Sequence, residues 1–79
     1  MKYIVFDHVH MRTFFAPKSH VDEAACHPNE KPTSAGMIGW ENGKLVCYGR
    51  SERLGIGSIP FDTTLLDCGI KEIRRDYAY

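Results

Sequence analysis

The chain has 79 residues, enough for one domain and one core, and 43% of them are hydrophobic against 25% charged, ordinary values for a folded globular chain that argue against disorder. Ten basic residues balance ten acidic ones, and residues 1–40 and 41–79 are each neutral (four of each sign, then six of each). No basic stripe exists to hold phosphates, which argues against a general nucleic-acid binder, and no acidic surplus exists to imitate DNA.

The first segment, Lys2–His8, is rich in β-branched and aromatic residues and reads as a strand. Tyr3 and Val5 point one way, Ile4 and Phe6 the other, so both faces are apolar and the strand is expected to be central and covered on both sides. A turn around His8–His10 leads to a second strand, Met11–Ala16, closed by Pro17. The apolar opening is too short for a signal peptide or a membrane span, so the expectation is a soluble cytoplasmic protein, in a host cell if the resemblance given below holds.

Ser19 and Asp22 have the spacing of a capping box and open a short helix whose apolar face is expected from Val21, Ala24 and Ala25. The loop His27–Pro32 follows. Thr33–Arg50 then forms a hairpin around Asn42-Gly43, the dipeptide suited to a type I′ turn. Counting outward pairs Glu41 with Lys44, Trp40 with Leu45, Gly39 with Val46, Ile38 with Cys47 and Met37 with Tyr48. One face carries Ile38, Trp40, Leu45 and Cys47, ready for a core. The other carries Met37, Val46 and Tyr48.

Ser51–Ser58 is a glycine-bearing connection. A second helix is expected from about Pro60, burying Phe61, Leu65 and Leu66 and stopping at Gly69. Residues 70–79 fit both a helical and an alternating pattern and are taken as a frayed extension. The predicted architecture is α+β in the order β-β-α-β-β-α: a four-stranded, mainly antiparallel sheet with both helices on one face. Met37, Val46, Tyr48 and one side of the first strand would then remain exposed, and an apolar patch of that kind marks an interface.

Candidate chemistry is sparse. Three cysteines with no Cys-x-x-Cys pair make no disulfide framework and read as reduced thiols. His8, His10, His20, Cys26 and His27 are candidate metal ligands, but their spacing matches no established zinc pattern. Cys26 and His27 are adjacent, which points their side chains apart on a helix and argues against a catalytic pair. Gly55-Ile56-Gly57 lacks the lysine and third glycine of a phosphate loop. No cofactor and no enzymatic activity are expected. Tyr48, Arg50 and Arg53, with Met37 and Trp40, are residue types that anchor protein interfaces, and these five are the candidate partner-binding residues.

The stretch Ser34-Ala35-Gly36-Met37, followed by Cys47-Tyr48-Gly49-Arg50-Ser51-Glu52-Arg53-Leu54-Gly55-Ile56-Gly57-Ser58-Ile59-Pro60-Phe61-Asp62, resembles small phage- and prophage-encoded proteins that begin with a Tyr-Ile-Val-Phe strand. Ile59 departs from the basic residue expected there in that family. The resemblance implies no catalytic residue. It implies a protein that docks on a host complex and blocks it, as anti-CRISPR proteins and other host-defence inhibitors do. Two alternatives stand beside it: a small domain stabilised by metal at the histidine and cysteine positions, and a homodimeric structural or accessory protein.

Overall fold

In the computed structural model the backbone is described for residues 1–77 and the side chains for residues 1–69. The strands are β1 (Lys2–Phe6), β2 (His10–Phe14), β3 (Pro32–Glu41), β4 (Lys44–Tyr48), β5 (Arg50–Ser51) and β6 (Ile56–Gly57), and the helices are α1 (His20–Ala25) and α2 (Pro60–Tyr77). The first four strands form one antiparallel sheet in the order β2-β1-β3-β4, and β5 pairs with β6 in a small separate hairpin. This is the predicted α+β class with its four-stranded antiparallel sheet and two helices. Among the described residues no helix is long and apolar enough to cross a membrane.

The β3–β4 register is the one counted from Asn42-Gly43, pair for pair, and both turn residues have positive φ, 50° and 76°, as a type I′ loop requires. The β1–β2 turn begins one residue earlier than expected. Asp7 and His8 take positive φ, and the Lys31 N–H and Lys31 carbonyl both bond to Asp7, at 3.2 and 2.8 Å.

The helices lie on opposite faces of the sheet, which corrects the expectation that they share one. Ile4, Phe6, Phe14 and Ala35 form a core closed by Ala24 of α1 and by Leu54 and Ile56 of the β5–β6 hairpin. Tyr3, Val5 and Ile38 form a second core closed by Met11, Leu45, Cys47 and the α2 residues Leu65 and Leu66. The physical reason lies in β1, whose four residues Tyr3–Phe6 are all at most 1% exposed. A central strand that is apolar on both sides needs a layer on each.

Both helices also bury residues other than those expected. In α1, Val21 and Ala25 face solvent while Ala24 packs on the core. Glu23 is buried there instead, and it can be because Lys18 and His27 meet its two oxygens at 2.6 and 3.2 Å. The Lys18 ammonium, followed by His27, holds the Glu23 carboxyl below its ordinary range. The predicted capping box is present: the Ser19 Oγ accepts from the Asp22 N–H and the Asp22 carboxylate accepts from the Ser19 N–H. That backbone bond is the main reason the Asp22 carboxyl is also held low.

In α2, Phe61 is exposed and Asp62 is completely buried. Gly69 does not end the helix, whose backbone continues to Tyr77 in place of the expected frayed extension. Glycine lowers helix propensity by about 1 kcal/mol without forbidding the conformation. Ala78 and Tyr79, and the side chains of 70–77, lie outside the described residues.

Candidate protein-docking surface

Asp62 fixes α2 to the middle of the sheet. It occupies the third position of the helix, and its carboxylate accepts hydrogen bonds from the Ile59 N–H (3.0 Å), the Tyr3 hydroxyl (2.6 Å) and the Ser34 hydroxyl (2.7 Å). The first of these caps the helix start, and the other two come from β1 and β3. Burial, then the hydrogen bond and negative charge at Asp62, push the Tyr3 phenol far above the ordinary tyrosine range. Cys47 lies beside this group and is half-buried. Burial raises its thiol, so it is a poor nucleophile at neutral pH. Thr63 Oγ1 accepts the Cys47 N–H at 3.1 Å, tying α2 to the edge strand as well. Every buried polar side-chain atom in the described part has a partner. The arrangement is that of a structural pin.

With the centre of the sheet sealed, the apolar residues that remain outside become informative. β1 ends at the Lys2–Met37 pair, so the β3–β4 hairpin overhangs the sheet with a strand on one side only. Trp40 lies on the α2 face of that overhang and is 74% exposed. It is therefore not part of the core its face suggested. Met37 and Tyr48 are cross-strand partners on the opposite, α1 face and are 38% and 49% exposed. Val46 beside them is half-buried. The Tyr48 ring lies over Gly39, where an added Cβ would come within 2.9 Å of Tyr48 Cε1. The absence of a side chain at Gly39 thus lets a large aromatic lie along the sheet surface.

On the α1 face the register continues Phe14–Lys2–Met37–Tyr48 across all four strands. Beyond Tyr48 the chain turns at Gly49, with φ 78°, and presents Arg50 and Arg53, both exposed. These line a cleft of about 180 Å³ with Lys2, Ser19, His20, Val21, Ser51 and Glu52. His20 Nε2 donates to the Gly36 carbonyl at 2.9 Å, and its ring meets that of Phe14 edge-on at 5.3 Å. Four of the five candidate contact residues (Met37, Tyr48, Arg50 and Arg53) thus sit on the α1 side, while Trp40 sits across the hairpin tip.

Lys2 and His20 were not expected at this surface. The signal for Lys2 was its place on the same strand face as Ile4 and Phe6 (period two). His20 carried no sequence signal, because its position depends on how α1 crosses the sheet.

The five candidate metal ligands do not form a centre. His8 and His10 are exposed at the β1–β2 turn and Cys26 is exposed after α1. His20 is held by Gly36, and the two ring nitrogens of His27 face Glu23 and Glu30 at 3.2 and 2.9 Å. Among the described residues no group of three or more histidine, cysteine or acidic side chains could hold an ion.

Comparison with protein-family models, with curated proteins and with solved structures found no match.

Proposed function

We propose that this chain is a non-enzymatic protein-binding module that docks through the overhanging β3–β4 hairpin and the adjoining Arg50–Arg53 turn. One observation carries the reading. The sheet centre is sealed on both faces, yet Met37, Trp40 and Tyr48 stay 38%, 74% and 49% exposed on one short hairpin. Large apolar and aromatic side chains exposed on both faces of one strand pair, beside arginines, have the composition of interface anchors. The sequence resemblance supplies the kind of partner: a host protein complex that the module inhibits in the cytoplasm, as anti-CRISPR proteins do, which makes the chain phage-derived.

Affinity capture from a bacterial host lysate tests this, using wild type and the M37A/Y48A variant side by side. Both side chains are partly exposed, and the comparison is made with a variant whose far-ultraviolet spectrum and urea midpoint match a folded protein. A stoichiometric host protein retained by wild type and lost by the variant supports the module. Equal capture by both, or no partner together with no effect on CRISPR interference, refutes it.

A further inference from the structure

We propose that the cleft between Lys2, the start of α1 and the β5–β6 turn receives acidic side chains of the docked protein, with carboxylates seated at Lys2, Arg50 and Arg53. The inference rests on the docking reading and supplies its chemistry. The chain as a whole is neutral, yet Lys2 of β1 and both Arg50 and Arg53 of the β5–β6 hairpin line this cleft, against one lining carboxylate, Glu52. Asp22 is close enough to feel the charge of Arg53. Among the described residues none of the three cations is in an ion pair, whereas nearby Lys18 is engaged by Glu23. The Lys2 ammonium only reaches the Lys18 carbonyl at 3.4 Å. Two guanidinium forks and an ammonium are therefore left to face an incoming anion.

Size and surroundings decide which anion. A volume of about 180 Å³ is below the roughly 300–1,000 Å³ of small-molecule sites and suits one or two carboxylate side chains. A nucleic-acid backbone would need a longer basic track than these three cations provide. Lys2 is also the register neighbour of Met37, which pairs with Tyr48, so the cationic cleft runs directly into the exposed apolar row. That sequence of surfaces fits an acidic protein segment with an apolar residue beside its carboxylates.

The test is an NMR titration of the labelled protein at low salt with a hexaglutamate peptide, in parallel with inorganic phosphate and an oligothymidylate. The peptide is expected to shift the amides of Lys2, Ser19–Val21 and Arg50–Arg53. The R50E/R53E variant, with an unchanged far-ultraviolet spectrum, is expected to bind at least about tenfold more weakly, since two attractions become repulsions. Absence of cleft shifts at millimolar peptide overturns the inference. So does tighter binding of phosphate or oligothymidylate at the same amides, which would assign the cleft to a phosphate ligand. Failure here, with captured partner still lost in M37A/Y48A, removes the acidic-segment assignment and leaves the docking module standing. Cleft binding with no captured partner removes the module instead.

Discussion

Replacing Asp62 with alanine removes the acceptor that joins α2, β1 and β3. The Tyr3 and Ser34 hydroxyls, both on residues at most 1% exposed, would lose their partner at 2.6 and 2.7 Å, and a buried donor left unpaired costs roughly 1–3 kcal/mol. Loss of the Ile59 N–H contact adds about 1 kcal/mol, as for other lost caps. The sum, taken conservatively, is about 3–5 kcal/mol. A domain of this length has a total stability of roughly 4–12 kcal/mol, so Asp62→Ala should be barely folded or lose more than about 12 °C in Tm.

Urea unfolding followed by circular dichroism measures this. The decisive comparison is the triple variant Y3F/S34A/D62A, which removes the stranded donors along with the acceptor and should be more stable than Asp62→Ala alone. A cost below about 1 kcal/mol for Asp62→Ala, or a triple variant less stable than the single one, would refute the account of the pin.

Other expectations follow from the same geometry. Folding raises the Tyr3 pKa, so the native state holds that proton more tightly. Its contribution is whole below the unfolded value of about 10 and drains away as pH rises beyond it. A tyrosinate absorbance titration should therefore find one phenol that ionises only with alkaline unfolding, absent in Tyr3→Phe; a smooth titration of every tyrosine in folded protein would contradict this. Gly36→Ala should abolish folding or cost more than about 3 kcal/mol in urea unfolding, because its Cβ would collide with the Tyr48 carbonyl oxygen and crowd the Tyr3 ring. Gly43→Ala, in open space at φ 76°, should cost only about 1–2 kcal/mol, and equal costs at the two positions would count against this packing. Trp40 is the sole tryptophan and 74% exposed, so fluorescence of the isolated protein should be fully accessible to acrylamide. Shielding that grows with protein concentration would reveal self-association.

How far the sequence foretold this molecule differs by element. The β3–β4 hairpin was fully legible, because a type I′ loop admits few dipeptides and fixes every pair beyond it. The double apolar pattern of Tyr3–Phe6 already demanded two covering layers, and placing both helices on one face disregarded it. The α1 face was obscured because Ala24 is a weak apolar signal, and Glu23 is buried only through its contacts with Lys18 and His27, which depend on the folded loop. Asp62 was missed, although an acid two residues after a helix-opening proline suits a cap. Its bonds to Tyr3 and Ser34 span 59 and 28 residues, which no local pattern encodes. Of the proposed contact residues, the exposed positions of Met37, Tyr48, Arg50 and Arg53 agree with residue type and register. Trp40 was open to both a core and a contact reading, and its exposure depends on where β1 ends.

The central claim is that the hairpin surface meets another protein, and site-specific photocrosslinking in host cells tests it most directly. A photoreactive phenylalanine analogue is placed at Tyr48 and, as a control, at Asn29, which is also exposed. The account predicts one discrete adduct with a host protein from position 48 and none from position 29. No adduct from position 48, or an adduct only with a second copy of this chain, would contradict it.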